Sequence, residues 1–267
     1  MRLSEVRCKS ILGRSGIGGM DYAVNPYLGC SHACAYCYAR FMRRMGHPGE
    51  PWGSFVDVKV NAVERLREEA GKKSRGKVLL SSVTDAYQPL EKKYRLTRGC
   101  LEVLLEHGFS VDILTKNELV LRDLDLIQRF DDVEVGLTIT SLDDSVRRAF
   151  EPEASSIQAR LEALKRFSDE GIRTYAFLGP MLPYLSDEHL EELLNLLADR
   201  VNRLIVDRLN IKCGNMPDIR RVLGAHYPDL QQMFEVALAP NSAYYRGFGS
   251  RVSEMCRDRS IPVDIIF

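Results

Sequence analysis

Three cysteines fall within eight residues in the segment Asn25-Pro-Tyr-Leu-Gly-Cys30-Ser-His-Ala-Cys34-Ala-Tyr-Cys37-Tyr-Ala-Arg40. The 267-residue chain has seven cysteines; an odd number in a chain this long does not suit the disulfide framework of a small secreted domain. Thiolates spaced by three and then two residues on a short loop can each take one iron of a [4Fe–4S] cubane, the loop wrapping the cluster with its sulfurs turned inward. The fourth iron then has no protein ligand nearby. An open coordination site of that kind lets a cluster bind a substrate or cofactor instead of only passing electrons. On the residues alone two other sets stay open: zinc completed by His32 or a distant cysteine, and an electron-transfer cluster with Cys8 or Cys213 as fourth ligand. Zinc loops usually pair CxxC knuckles, and the sequence has no second one. Cys8, Cys100 and Cys256 read as structural.

The elements that must position this loop follow a regular rhythm. Short β-branched apolar runs occur at Lys77–Ser82, Ser110–Lys116, Val133–Thr140, Ile172–Leu182, Arg203–Ile211 and Ile261–Phe267, with an earlier strand expected at Tyr22–Leu28 leading into the cysteines. Continuous apolar runs suit strands buried on both faces of a parallel sheet. Between them, Asp57–Ala70, Leu96–Glu106, Leu119–Phe130, Ile157–Asp169 and Asp187–Val201 carry apolar residues at helical steps. Thr97, Ser156 and Ser186 offer helix-start signals, and glycines at 108 and 171 stop two helices. The alternation predicts an α/β fold, a partial (β/α) barrel of about six parallel strands, with chemistry at the C-terminal strand ends. One domain is expected over 1–267, its core at about 20–215 and a C-terminal helical cap and strand at about 216–267.

Lys plus Arg and Asp plus Glu each number 37, so the net charge is zero; no global field draws the chain to nucleic acid or an anionic membrane. No apolar run reaches the ~20 residues of a membrane span, and the first residues lack the apolar stretch of a secretory signal. A cytoplasmic protein with no membrane partner is expected.

The cysteine spacing, with aromatic Tyr36 before the last thiol, resembles the signature of the radical S-adenosylmethionine (SAM) superfamily. NPYLGCSHACAYCYAR at 25–40, SSVTDAYQPLEKKYRLTRGCLEVL at 81–104, ILTKNELVLRDLDLI at 113–127, VGLTITSLDDSVRRAFEPEASSIQARLEAL at 135–164 and FLGPMLPYLSD at 177–187 are similar to its spore photoproduct lyase-like, or DNA repair photolyase, group. The resemblance implies a [4Fe–4S] cluster on Cys30, Cys34 and Cys37, with the amino and carboxylate groups of S-adenosylmethionine on the open iron. It also implies reductive cleavage to a 5′-deoxyadenosyl radical, fed by a reductant such as flavodoxin or ferredoxin. It places Tyr36 near the adenine; Ser82, Thr84 and Asp85 near the methionine amino group; Lys116 at the cofactor; Thr138 and Thr140 at the ribose; and Arg160, after Glu151, as a clamp for the methionine carboxylate. Without the family, Tyr36 could simply pack under the loop, Lys116 could pair with Asp85, and Arg160 could lie on the surface.

One departure matters. The spore lyase has a hydrogen-donating cysteine beside its second-strand segment, whereas this chain reads Ser81-Ser82-Val83-Thr84-Asp85. Cys213, after the Arg203–Ile211 run, could supply a thiol from another side, and its alternative role is a buried structural cysteine. Three functions follow: hydrogen abstraction from a nucleic-acid base or nucleotide, with Arg40–Arg44 meeting phosphates; radical modification of a peptide or small metabolite, with Tyr244–Ser250 capping the barrel mouth; or a non-enzymatic iron–sulfur carrier or sensor. Cys34→Ala should abolish both cluster absorbance and cofactor cleavage in anaerobically reconstituted protein. Retention of four irons per chain in that variant would overturn the ligand assignment.

Overall fold

The protein is described here from a computed structural model covering residues 1–239 and 242–267. Its strands in chain order are β1 (Arg2–Val6), β2 (Leu12–Arg14), β3 (Tyr22–Val24), β4 (Tyr27–Leu28), β5 (Phe55–Lys59), β6 (Lys77–Leu80), β7 (Ser110–Thr115), β8 (Val133–Thr138), β9 (Arg173–Met181), β10 (Arg203–Arg208) and β11 (Val263–Ile265). The main sheet runs β11-β10-β9-β8-β7-β6-β3-β2. All its pairings are parallel except β2 with β3. The end strands do not pair with each other, so the barrel is open. Each expected apolar run contributes a strand, which makes seven parallel strands rather than about six, because the Tyr22 run joins the same sheet.

That run differs from expectation at its C-terminal half. Its strand breaks at Asn25-Pro26, where proline has no N–H for a ladder. Tyr27–Leu28 instead pairs antiparallel with β5 in a separate three-stranded sheet, β1-β5-β4. The expected helix at Asp57–Ala70 is corrected in the same region. Phe55–Lys59 alternates as a strand, and the helix occupies only Ala62–Ala70. β5 owes its state to partners far away in sequence, Arg2–Val6 and Tyr27–Leu28, which no local pattern reveals.

Helices cover the outer face where spacing predicts them. Ala62, Leu66 and Ala70 form one buried stripe; Leu96–Glu106 and Ile157–Asp169 follow the expected bounds. Ser156 caps the second of these, its Oγ accepting from Ala159 N at 3.2 Å. Thr97 lies inside its helix and donates to Ala86 O at 2.6 Å. Ser186 is fully buried and accepts from Leu182 N, so the helix expected from Asp187 starts at Leu190 and ends at Leu197. The 119–130 stretch is a 3-10 turn, Glu118–Asp123, followed by a short α-helix, Leu124–Ile127.

The N-terminal end of the barrel is plugged. Tyr175 lies over Gly136, where a Cβ would come within 2.2 Å of its ring, and its hydroxyl donates to buried Asp112 at 2.7 Å. Lys77, Glu134 and Arg203 surround the pair. A floor sealed this way leaves the C-terminal strand ends as the open face. There, Tyr245 donates to Met181 O (3.1 Å) at the end of β9 and accepts from Leu209 N (3.3 Å) just past β10, while Tyr244 ties Tyr184 N to Asp187. The Tyr244–Ser250 stretch, within the helix Tyr244–Asp258, therefore sits at the mouth.

Between β4 and Cys30 the chain passes under β5 through Gly29, with φ +88°; a Cβ there would lie 2.4 Å from Phe55 O. Left-handed strain of ~1–2 kcal/mol and a backbone clash of similar size predict that Gly29→Ala lowers the melting temperature by about 5–15 °C. Calorimetry on the metal-free chain checks this, and an unchanged transition would disprove the close approach.

Candidate active site at the barrel mouth

The cysteine loop is held from three sides. From the β6 end, Thr84 Oγ1 donates to Gly29 O at 2.6 Å, and Gln88 accepts from Ser31 N at 2.9 Å. Asn25 receives the amides of Ser82 and Val83 and donates to Ser82 Oγ. Ser82 and Thr84 thus serve the loop's backbone. From the β8 side, Ala35 N donates to Phe150 O at 2.9 Å. From the β10 side, fully buried Asn215 donates to Tyr36 O (2.7 Å) and Asn210 O (2.8 Å). Arg40, buried despite its charge, donates to Cys37 O and Ala35 O and pairs with Asp218 at 2.5 Å. Cys30 and Cys34 are buried and Cys37 is half-buried.

Beside the loop lies a buried ionic centre. Glu151, immediately after the helix Asp144–Phe150, accepts from the Tyr36 hydroxyl, from Thr140 Oγ1 at 3.1 Å and from Arg160 Nη2. Arg160 is fully buried, its remaining contacts being Thr138 O at 2.8 Å and Ser155 O at 2.9 Å. Burial opposes charge on Glu151, but Arg160 and Lys116 override it and hold the carboxyl below its ordinary value. Lys116 follows β7 with its ammonium 5.9 Å from the Tyr36 ring centroid. Burial works against that charge too, and Cys34 and Glu151 raise it above the usual lysine value.

Asp85 ends the β6 turn. It accepts from Thr115 Oγ1 at 2.6 Å, Tyr87 N at 2.9 Å and Lys116 N at 2.9 Å. The Asp85–Lys116 pairing therefore runs through the lysine's amide. His32 Nδ1 sits 3.3 Å from Asp85 Oδ2, close enough for charge attraction but outside hydrogen-bond alignment. Burial pushes His32 down, yet Asp85 prevails and raises it to about 9; the same partner holds Asp85 low against its burial.

The structure thus gathers Tyr36, Asp85, Lys116, Thr138, Thr140 and Arg160 around the cysteines, and it sets Cys213 behind Cys37. Cys213 Sγ lies 3.9 Å from Cys37 O and 3.6 Å from Asn210 O, half-exposed. Arg160 is neither a surface residue nor open to a ligand on every side, because Glu151 occupies it. Sequence reasoning did not single out Asn215, Gln88 or Asn25, and it took Arg40 for part of an exposed patch. Only their long-range partners mark them, since each is an ordinary polar residue in its local pattern.

A profile of the radical SAM superfamily matches residues 24–197. The chain belongs to the radical SAM superfamily. A Methanocaldococcus jannaschii protein of uncharacterized function is 36% identical to this radical SAM enzyme over 229 residues, 86% of this chain and 85% of its own. A Mycobacterium tuberculosis relative, also uncharacterized, is 36% identical over 206 residues, 73% of this chain and 61% of its own. The radical SAM Nalpha-GlyT isomerase of Pseudomonas phage M6 is 24% identical over 184 residues, 68% of this chain and 38% of its own. Among solved structures, a spore photoproduct lyase mutant with bound AdoMet and dinucleoside spore photoproduct superposes with TM-score 0.66 at 17% identity, covering 98% of this chain and 81% of its own. Streptococcus suis SuiB bound to precursor peptide SuiA gives 0.59 at 12%, covering 92% and 48%. At those identities the likeness is one of fold. No helix among the described residues is long and apolar enough to cross a membrane.

The radical SAM site fits the group its superfamily carries. Among the described residues, no three His, Cys, Asp or Glu side chains converge as ligands of one ion would; thiols bound to separate corners of a cubane need not. Burial pushes two of the thiols up, Cys34 well above its ordinary value and Cys37 to about 12. Metal loading would therefore release protons.

Arg160→Met should cost about 3–5 kcal/mol of stability by stranding the buried Glu151 charge, and adding Glu151→Gln should restore part of it; denaturant titration reads both. A carboxyl lowered on folding adds stability above its unfolded value and loses it as pH falls through the folded one. The wild type should accordingly lose more stability than Glu151→Gln below about pH 4.

Proposed function

We propose that this radical SAM enzyme holds a [4Fe–4S] cluster on Cys30, Cys34 and Cys37 and abstracts hydrogen from a nucleic-acid base or nucleotide. The observation that carries the cofactor site is the buried Tyr36–Glu151–Arg160 centre, packed against the cysteine loop at the strand ends. When bound, the cluster and S-adenosylmethionine supply a 5′-deoxyadenosyl radical by one-electron cleavage of the sulfonium.

The chain's own residues orient the cofactor and exclude water. Tyr36 offers a ring and a neighbouring backbone for the adenine, its hydroxyl fixed by Glu151. Thr140, on the same carboxylate, faces the region for the ribose, with Thr138 two residues earlier at the end of β8. Asp85, ionised and buried, provides the acceptor a methionine ammonium needs. Lys116 is the cation best placed for the methionine carboxylate, since Arg160 is committed to Glu151 and acts through it. Ser82 and Thr84 contribute by fixing the loop. Cys213, beside Cys37 and reachable from solvent, is the candidate hydrogen donor in place of the cysteine that the Ser81–Asp85 segment lacks.

The nucleic-acid reading draws on the dinucleoside photoproduct in the superposing lyase structures. Modification of a peptide is the second reading, favoured by the SuiB superposition with its precursor peptide. The setting proposed is the cytoplasm, with flavodoxin or ferredoxin as electron source.

Anaerobically reconstituted, reduced protein should release 5′-deoxyadenosine, read by chromatography. With single-stranded oligonucleotides it should yield a base of altered mass. Absence of 5′-deoxyadenosine would overturn the radical chemistry; its formation together with an altered peptide and intact oligonucleotide would move the substrate to the second reading.

A further inference from the structure

Next to Cys37 and Cys213 the surface opens into a cavity of about 770 Å³. One wall is the Tyr38–Arg44 turn that follows the last cluster cysteine, and the other is the loop after β10, carrying Asn210 and Lys212. The two walls are some 170 residues apart in sequence and are fastened together by Arg40 and Asn215. The groove is thus a fixed part of the active-site rim.

Its charge is one-sided. Arg43, Arg44 and Lys212 line it, and among the described residues no aspartate or glutamate does. None of these three cations has a carboxylate within 4 Å in the described ion pairs, whereas Arg40, Arg220 and Arg221 are each paired with one. Arg43 reaches only the carbonyl of Glu50 at 3.1 Å. In a chain of zero net charge, three uncompensated cations in one hollow hold a local positive potential that draws anions. Tyr38 and Phe41, each 45% exposed, stand in the same wall. Arg40, the remaining cation there, is spent on Asp218 and the cluster loop.

Cations alternating with exposed rings beside a concave path are what a single nucleic-acid strand requires: phosphates on the cations, bases stacked on the rings. We infer that this groove binds the phosphodiester backbone of a single-stranded or flipped-out nucleic-acid segment, through Arg43, Arg44 and Lys212, and leads its base toward the cofactor. The inference rests on the nucleic-acid reading above and deepens it. A protein partner of complementary charge would need a broad face of ~800 Å², whereas a hollow of this volume is in the range of ligand clefts.

The test measures fluorescence anisotropy of a labelled oligothymidylate on the cluster-loaded protein across a salt series. Three phosphate contacts predict a log–log slope that falls by about 2 in the triple variant R43Q/R44Q/K212Q, with affinity at least tenfold weaker. Arg43→Lys with Arg44→Lys, which keeps the charge, should retain most of the affinity. Iron content and melting temperature establish that each variant is folded and loaded. Unchanged affinity and slope in the folded triple variant would overturn the groove. So would retained oligonucleotide binding combined with slower reduction by flavodoxin but not by dithionite, because the cations would then serve an acidic protein. Wild type that forms 5′-deoxyadenosine yet binds no oligonucleotide sinks the groove and leaves the radical chemistry standing; wild type that binds with the expected slope yet forms none sinks the chemistry alone.

Discussion

One buried carboxylate organises this site. Glu151 sits where water cannot solvate it, so its charge must be answered by the protein, and the answer draws in Tyr36 from the cysteine loop, Thr140 from the end of β8 and Arg160 from the next helix. A buried ion pair is weak evidence of net stabilisation but strong evidence of fixed geometry, because losing either partner is far more costly than losing both. Here the geometry fixed is the position of Tyr36, the residue immediately preceding Cys37. The Tyr36 hydroxyl, the Thr140 hydroxyl and the Arg160 guanidinium are held to one carboxylate.

Around that centre the cysteine loop has no regular secondary structure of its own between Gly29 and Cys37, and beyond its own turns and Arg40 it is supported by groups from distant parts of the chain. Gln88 and Thr84 reach from the β6 end, Phe150 from the β8 connection and Asn215 from the β10 side, while Arg40, in the turn just after Cys37, ties the loop to Gly214 and Asp218. A loop carrying three thiols must bring them to a cluster within a few tenths of an ångström, and backbone hydrogen bonds from three directions supply that constraint without occupying the sulfurs.

The seven parallel strands were legible because apolar β-branched runs buried on both faces announce themselves locally, and the family resemblance singled out Asp85, Lys116 and Thr140 in the segments after three of them. What was not legible was whatever a partner far away in sequence decides. Phe55–Lys59 becomes a strand because Arg2–Val6 and Tyr27–Leu28 lie on either side of it, and Arg40 is withdrawn from a basic run by Asp218, 178 residues later. Asn215 and Gln88 carried no local signal at all. The cysteine spacing made the loop conspicuous; the hydrogen bonds that hold it lie between residues far apart in sequence.

Both ends of the open main sheet finish in strands of three residues, Leu12–Arg14 and Val263–Ile265. A gap between the first and last strands of a barrel would ordinarily expose long rows of unpaired amides and carbonyls, an invitation to another copy of the chain. Short terminal strands offer too few such groups to template an added neighbour. The barrel can thus remain parted on one side without long rows of unpaired backbone groups lining the opening.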